Sequence, residues 1–201
     1  MNENDRAMIA KAAELANRAH VTCKQVRKGT GLPYIVHPFR VATLVTEAGG
    51  NANQIAAAWC HDVLEDCEPF REEANATLPP PVLALVKELT KAEISPDKRV
   101  KGEAFMAELR AMSPEAKLVK LCDRLDNLRD VRSANKPDWA RTYGKESVEV
   151  LKALAVNPAT GPQADRLVAL ISEQIKANQA WAEQAEAEKL ARKQGKVANA
   201  S

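Results

Sequence analysis

The chain is organised around residues 56–66, Ala56-Ala57-Ala58-Trp59-Cys60-His61-Asp62-Val63-Leu64-Glu65-Asp66. This stretch follows Gly49-Gly50-Asn51, a sequence typical of a helix stop followed by an N-cap residue. Ile55, Trp59 and Val63 recur at intervals of four residues, so the pattern predicts a largely buried helix over 51–66.

The C-terminal end of this predicted helix is acidic. Asp62, Glu65 and Asp66 lie three and four residues apart, and His61 lies four residues before Glu65, so their side chains gather on one turn. Three carboxylates at a helix C-terminus repel one another and face the negative end of the helix dipole. Such a turn calls for a cation among the carboxylates, and a divalent metal ion is the simplest candidate.

Composition places the chain among soluble globular proteins. Its 201 residues are 45% hydrophobic and 28% charged, a balance typical of one domain. A net charge of +2 argues against nucleic acid or a membrane surface as the partner, and no apolar run approaches the ~20 residues of a membrane span. The four cysteines form no CxxC pair and the N-terminus lacks a signal-peptide pattern, so we expect reduced thiols in the cytoplasm. The oligomeric state is left open.

Helical periodicity runs through nearly the whole chain, which predicts an all-α fold of roughly eight to ten helices. Helices are predicted over 4–25, 37–48, 51–66, 80–91, 97–111, 113–132, 138–156 and 162–190. The Gly- and Pro-rich residues 27–33 predict a loop, followed by a short extended piece over 34–36. We expect one core domain over 1–157, a C-terminal helix over 158–190 packed on it, and a flexible tail over 191–201.

Further candidate metal ligands lie outside the first stretch. His37 precedes Pro38 at the start of a predicted helix, and Asp123 lies on the 113–132 helix opposite a stripe of leucines. Alone, His37 has a simpler interpretation as a capping group, and Asp123 as part of a solvated face. Together with His61 and Asp62 they form a mixed nitrogen and oxygen set, which suits Mn, Fe or Zn better than Ca or Mg.

This order of residues, His…His-Asp…Asp, resembles that of the HD-domain metal-dependent phosphohydrolases. Within them, Arg27-Lys28-Gly29-Thr30-Gly31-Leu32-Pro33-Tyr34-Ile35-Val36-His37-Pro38 is similar to the first hydrolase motif of the RelA/SpoT-homologue family. His61-Asp62-Val63-Leu64-Glu65-Asp66 and Lys117-Leu118-Val119-Lys120-Leu121-Cys122-Asp123-Arg124-Leu125-Asp126-Asn127-Leu128-Arg129-Asp130 resemble two further motifs of that family. The similarity runs in order from about residue 5 to about residue 155.

The resemblance implies a single-domain, HD-type helical hydrolase. It assigns one divalent metal ion, usually Mn²⁺ in this family, to His37, His61, Asp62 and Asp123. Glu65 and Asp66 match the pair that handles the attacking water. These roles are chemically reasonable, because a metal ion makes bound water more acidic and a nearby carboxylate can take its proton.

The resemblance also implies substrate contacts. Arg27 and Lys28 match residues that contact the nucleotide, and Asn127 matches a contact to the sugar or its phosphates. Tyr34 falls at the family's aromatic residue beside the site, and Tyr143 matches a second aromatic near the phosphates. Trp139 is interpreted as a packing residue. Asp126 departs from the family pattern, because many relatives have an aromatic or aliphatic residue there, and we expect it to add negative charge near the pocket.

The implied reaction removes the 3′-pyrophosphate from an alarmone such as ppGpp or pppGpp, a small nucleotide. Two alternatives stay open within enzymes, namely a hydrolase of adenine alarmones and another HD-domain nucleotide phosphohydrolase. A third is a nucleotide-binding module without turnover, which the paired carboxylates Glu65 and Asp66 argue against.

Overall fold

The structure is a computed structural model of the chain and describes residues 1–91, 98–154 and 161–198. Within those ranges it contains helices and no β-strand, which confirms the all-α prediction, and a single isolated bridge joins Val26 to Pro33. The α-helices are α1 (Glu3–Thr22), α2 (Val36–Glu47), α3 (Ala52–Cys60), α4 (Val63–Asp66), α5 (Arg71–Thr77), α6 (Pro80–Leu89), α7 (Lys98–Ala111), α8 (Pro114–Asp130), α9 (Pro137–Leu154) and α10 (Gly161–Ala198). Two 3₁₀ turns, Glu68–Phe70 and Val131–Ala134, precede α5 and follow α8.

Two helices, α3 and α8, form the centre of the domain. Helix α3 packs against α1, α2, α6 and α8, and helix α8 also contacts α2, α6, α9 and α10. Their inward faces carry small or branched apolar residues, among them Ala57, Ala58, Leu121 and Leu125, and all four are at most 2% exposed. The motif-bearing helices are therefore held on several sides, which favours a fixed position for their polar side chains.

The helix starts follow the capping chemistry of the sequence. Asn51 and Gln54 form a reciprocal capping box at α3, and the Ser113 hydroxyl accepts a hydrogen bond from the Ala116 amide at α8. Between α2 and α3, Gly49 has φ +77°, and a Cβ at Gly50 would lie 2.5 Å from Val45. The predicted stop and cap at 49–51 are confirmed.

The prediction of one continuous helix over 51–66 is wrong. Helix α3 ends at Cys60, and α4 begins at Val63 after a break at His61 and Asp62. Adjacent residues of a regular helix point about 100° apart, so they cannot reach the same point. The break lets His61 Nε2 and Asp62 Oδ2 come within 3.1 Å of each other.

The extended piece predicted over 34–36 is also wrong. Tyr34 and Ile35 form a turn, in which the His37 amide donates to the Tyr34 carbonyl at 2.9 Å, and helix α2 begins at Val36. The preceding loop over 27–33 is confirmed. It is closed by the Arg27 amide, which donates to the Leu32 carbonyl at 2.9 Å. The turn places His37 in the first turn of α2, as predicted.

Other differences lie away from the centre. No helix is predicted between 67 and 79, yet α5 forms there; it is seven residues long and buries only Ala74, so it lacks a helical apolar pattern. Helix α10 continues past the predicted end at 190 to Ala198. The proposed domain boundary at 157/158 lies outside the described residues. Among the described helices, none is both long and apolar enough to span a membrane.

Candidate active site

The structure brings together the four predicted metal ligands. His37 comes from α2, His61 and Asp62 from the break between α3 and α4, and Asp123 from the middle of α8. His37 Nε2 lies 3.2 Å from His61 Nε2 and 3.2 Å from Asp123 Oδ1. Asp62 Oδ2 lies 3.1 Å from His61 Nε2 and 3.7 Å from His37 Nε2. The ligand atoms of His37, His61 and Asp123 all lie within 4.8 Å of one another.

Hydrogen bonds on the far side of each imidazole set which nitrogen faces the cluster. His61 Nδ1 lies 2.8 Å from the Ala58 carbonyl, an acceptor, so His61 donates its proton there. His37 Nδ1 lies 2.7 Å from Asp126 Oδ2 and donates to that carboxylate. In the neutral imidazoles both Nε2 lone pairs therefore point towards the same place, the arrangement that metal-binding histidines require.

Hydrogen-bond donors also hold the two carboxylates of the cluster. The Tyr34 hydroxyl donates to Asp62 Oδ2 at 2.7 Å. Lys120 Nζ lies 2.8 Å from Asp123 Oδ2, and the Asn127 amide donates to Asp123 Oδ1. Asp123 and Lys120 are both 6% exposed, so this ion pair is shielded from solvent.

The charges in the cluster shift its pKa values. Burial opposes ionisation of Asp123, but Lys120 and the histidines hold its pKa well below the usual value. Burial acts in the same direction on Asp62, and His61 and His37 outweigh it to lower its pKa. Burial also opposes the charged form of His37, but its hydrogen bonds to Asp123 and Asp126 raise its pKa to about 9. Asp62 and Asp123 are therefore ionised at neutral pH, and a bound metal ion can replace the proton that they stabilise on His37.

The donor set fits a divalent transition-metal ion. Ligands bonded at about 2.1 Å to one ion in neighbouring positions lie about 3 Å apart, close to the 3.1 and 3.2 Å separations here. Two imidazole nitrogens facing each other at 3.2 Å with both lone pairs inward repel, unless a proton or a metal ion lies between them. His37, His61, Asp62 and Asp123 can therefore hold such an ion.

A cavity of about 380 Å³ opens beside the cluster. Its wall contains all five predicted substrate contacts together with one of the two predicted catalytic carboxylates. These residues are Arg27, Lys28, Tyr34, Asn127 and Tyr143, with Asp66. Tyr34 and Asn127 line the cavity and also hydrogen-bond to Asp62 and Asp123, so the cavity and the metal cluster share a wall.

The two basic residues of the cavity differ in how they are held. Arg27 is 8% exposed, and it donates to Asn127 Oδ1 at 2.9 Å and to Asp130 Oδ2 at 3.1 Å. Its guanidinium also lies 5.7 Å from the centre of the Tyr34 ring. Lys28, by contrast, is exposed on the loop. Arg27 is thus fixed before any ligand arrives, whereas Lys28 is free to adapt to one.

The two predicted catalytic carboxylates lie in different surroundings. Asp66 is exposed on the cavity wall, and burial together with the charges of Asp62 and Glu65 raises its pKa. Glu65 is not part of that wall, and its carboxylate lies 3.7 Å from Lys91 Nζ. The structure therefore brings Asp66, but not Glu65, to the cavity wall.

The structure adds two residues that the sequence patterns missed. Trp139, interpreted as a packing residue, is 38% exposed and lines the cavity, with its ring 5.5 Å from that of Tyr143. Asp126, expected to add negative charge near the pocket, is 1% exposed, lies outside the cavity wall and contacts His37. No local pattern indicates either role, because Asp126 reaches His37 across 89 residues of chain.

Comparison with protein families agrees with this geometry. The family model described as an HD domain matches residues 12–159. The human guanosine-3′,5′-bis(diphosphate) 3′-pyrophosphohydrolase MESH1 is 33% identical over 158 residues, covering 75% of this chain and 87% of its own length. The enzyme of the same activity name from Vibrio cholerae is 31% identical over 151 residues, covering 71% of this chain. The chain spans only 21% of the length of that bacterial relative.

Solved structures share the fold. A metazoan orthologue of SpoT that hydrolyses ppGpp superposes with a TM-score of 0.69 at 24% identity, over 86% of this chain and 93% of its own. The protein lmo0812 from Listeria monocytogenes superposes with a TM-score of 0.56 at 24% identity, over 73% of this chain and 99% of its own. At this identity the likeness supports the helical architecture.

Proposed function

The chain belongs to the HD domain family, and we propose that it removes the 3′-pyrophosphate of ppGpp and pppGpp in a metal-dependent reaction. One observation carries this proposal. The cluster of His37, His61, Asp62 and Asp123 shares a wall with a cavity that carries basic and aromatic side chains. A nucleotide diphosphate needs both features, because its phosphates are anionic and its base is a flat apolar surface.

The proposed reaction is a hydrolysis at the phosphorus attached to the 3′ oxygen. Water attacks that phosphorus, the bond between phosphorus and the 3′ oxygen breaks, and the 3′ oxygen gains a proton. The products are pyrophosphate with GDP from ppGpp or GTP from pppGpp. No oxidant or further substrate is needed, because one water molecule supplies both the oxygen and the hydrogen atoms.

We propose Mn²⁺ as the ion held by His37, His61, Asp62 and Asp123, on the basis of the mixed nitrogen and oxygen donors. When bound, such an ion makes water more acidic and offsets the negative charge of phosphate oxygens. Lys120, Tyr34 and Asn127 contribute by fixing the two carboxylates. This arrangement keeps the ligands in place without the ion, which lowers the cost of binding it.

Asp66 and Glu65 are proposed to orient the attacking water and take up its proton. Asp66 has the better support, because its carboxylate lies on the cavity wall and its raised pKa makes it a stronger base than an ordinary aspartate. Glu65 is its neighbour on the short helix α4 and adds negative charge beside it.

The proposed substrate contacts follow the chemistry of the cavity wall. The Arg27 guanidinium offers a planar face to the purine, and the exposed Lys28 ammonium suits a phosphate. Asn127 and Tyr143 face the same space and suit the ribose and its phosphates. We place the enzyme in the cytoplasm, which agrees with the unpaired state of its four cysteines.

The test is a turnover assay of the purified chain with ppGpp, with and without Mn²⁺, and separation of products by ion-exchange chromatography. We expect pyrophosphate and GDP in equal amounts, only with metal. An adenine alarmone with the same 3′-pyrophosphate and a nucleoside 5′-monophosphate serve as comparison substrates. Faster turnover of either comparison substrate would indicate that it is preferred to ppGpp. Nucleotide binding without any turnover would indicate that the chain is a binding module.

A further inference from the structure

Among the described residues, Asp126 is a buried acid beside the metal cluster that takes no part in the proposed reaction. Both it and His37 are 1% exposed, and His37 Nδ1 lies 2.7 Å from Asp126 Oδ2. The contact joins α2 to α8, and it falls on the side of the imidazole opposite the other proposed ligands.

We infer that Asp126 is a positioning residue for the metal site: its carboxylate holds the proton of His37 on Nδ1 and so presents Nε2 to the ion. A neutral imidazole carries one proton, and the nitrogen that keeps it cannot bind metal. A carboxylate acceptor also increases the electron density of the ring, which strengthens Nε2 as a ligand. His61 has only a carbonyl acceptor, so the two histidines differ in the strength of this support.

Two arginines lower the free-energy cost of burying the Asp126 carboxylate. Arg27 Nη2 lies 3.7 Å from Asp126 Oδ2, and Arg40 Nη1 lies 3.9 Å from Asp126 Oδ1. An isolated carboxylate at this depth is costly unless positive charge lies close by. Neither arginine is within hydrogen-bond distance of it, and Asp126 Oδ1 has no hydrogen-bond partner among the described residues. The only hydrogen bond that Asp126 makes through its side chain there is the one to His37.

The chain supplies a matched control in Asp130, which lies one turn further along α8. Asp130 pairs with the same two arginines, at 3.1 Å from Arg27 Nε and 3.1 Å from Arg40 Nη1, and makes no contact with His37. Replacing either acid with the amide removes one negative charge beside the same arginines. Only Asp126→Asn changes the partner of His37.

The first measurement is the affinity of the purified chain for Mn²⁺ alone, by competition with a chelator. We expect Asp126→Asn to weaken Mn²⁺ binding by about 10- to 100-fold, and Asp130→Asn to leave it within about threefold of wild type. The inference rests on the proposed metal site, but different results would contradict the metal site and the role of Asp126. If the wild-type chain binds no Mn²⁺, the proposed metal site is contradicted. If wild type and Asp126→Asn bind Mn²⁺ with equal affinity, only the proposed role of Asp126 is contradicted.

The second measurement is independent of affinity and of activity. The chain has three histidines, so ¹⁵N-labelled imidazole signals can be assigned by replacing each with Gln. With diamagnetic Zn²⁺ bound, we expect a strongly downfield Nδ1 proton for His37 in wild type and a clear upfield move in Asp126→Asn. The Nδ1 proton of His61, donated to a carbonyl, should not move. A His37 signal that is the same in both proteins would overturn the inference, and an unchanged His61 signal shows that the variant is folded.

Discussion

The metal cluster and the cavity beside it are built in opposite ways. His37, His61 and Asp123 are at most 6% exposed, and each is fixed by a hydrogen bond or ion pair to a buried neighbour. Much of the cavity wall, including Lys28, Asp66 and Trp139, is exposed. Folding alone therefore fixes the side chains that would bind a small ion, whereas those that would bind a larger ligand can still adapt to it. Substitutions in the cluster and substitutions in the cavity should therefore change different measured quantities.

The largest expected effect is from His61→Ala, which removes one cluster ligand. We expect loss of measurable Mn²⁺ binding and a fall of about 1,000-fold or more in kcat/KM for ppGpp, since the metal contributes several kcal/mol to the transition state. His20→Gln is the matched control, because His20 is also 1% exposed but does not belong to the cluster. Near-normal turnover by His61→Ala would show that the cluster is not the catalytic centre.

Asp66→Asn should separate catalysis from metal binding. Loss of the proton acceptor is expected to lower kcat about 10²- to 10⁴-fold, with Mn²⁺ affinity close to that of wild type. Glu68→Gln makes the same charge change two residues further on, at an exposed position outside the cavity wall, and should leave kcat unchanged. If Asp66→Asn raised KM and kept kcat, Asp66 would be a substrate contact and not a base.

Arg27 and Lys28 test the difference between fixed and adaptable cavity residues. Lys28→Ala should raise KM about tenfold and leave the melting temperature unchanged, because Lys28 is exposed. Arg27→Ala should raise KM and also lower the melting temperature, because it removes one of the two arginines that pair with Asp130 and the donor to Asn127 Oδ1. For each variant, steady-state kinetics gives KM and thermal unfolding gives the melting temperature. Equal melting temperatures for the two variants would contradict the comparison.

Trp139 tests whether the aromatic part of the wall binds the base. Stacking of a base on an aromatic side chain contributes about 1–3 kcal/mol, so Trp139→Leu should raise KM for ppGpp about tenfold and leave Mn²⁺ affinity unchanged. Substrate should also quench tryptophan fluorescence in wild type, and this quenching should disappear in the variant. Trp59 and Trp181 remain as internal references. Persistent quenching in Trp139→Leu would place the base elsewhere.

The sequence predicted most of the helices, because helical periodicity is a local pattern, and the resemblance of its motifs predicted which side chains converge. Helical periodicity located α3 and α8, and the motif residues His37, His61 and Asp123 converge as expected. The break at 61–62 was missed because apolar spacing continues through it. His61 and Asp62 keep right-handed φ and ψ values there, but the regular helix is interrupted and the two adjacent side chains lie 3.1 Å apart.

The remaining differences are set by tertiary packing. On α8, a helical projection separates Asp123 from the apolar stripe, which would suit a solvated face. The structure buries Asp123 because α2, α3, α6, α9 and α10 surround the helix. Asp126 and Trp139 acquire their places only when distant segments pack together. Short-range patterns therefore give the donor atoms of the site and leave out the groups that orient them.

The smallest expected effect concerns His20, which lies behind the cavity with its ring 4.9 Å from that of Tyr34. Its Nδ1 is hydrogen-bonded to Gln25, Cys67 Sγ lies 3.4 Å away, and its buried Nε2 has no partner among the described residues. Burial lowers the pKa of His20 despite the Gln25 hydrogen bond and the attraction of Asp62. The unfolded chain therefore binds the proton more readily than the folded one.

As the pH falls below about 6.5, the ordinary histidine pKa, protonation of His20 in the unfolded chain lowers the free energy of unfolding. This loss continues until the pH reaches the lowered pKa of His20 in the folded chain. The contribution is at most about 1.4 kcal/mol per pH unit. Urea unfolding of wild type and His20→Gln at pH 7.5, 6.5 and 5.5, in chelator, measures it as a difference. Because His37 titrates in both proteins, its opposite effect cancels to first order. We expect wild type to lose more stability than the variant below pH 6.5, and parallel profiles would mean that His20 accepts its proton inside the fold.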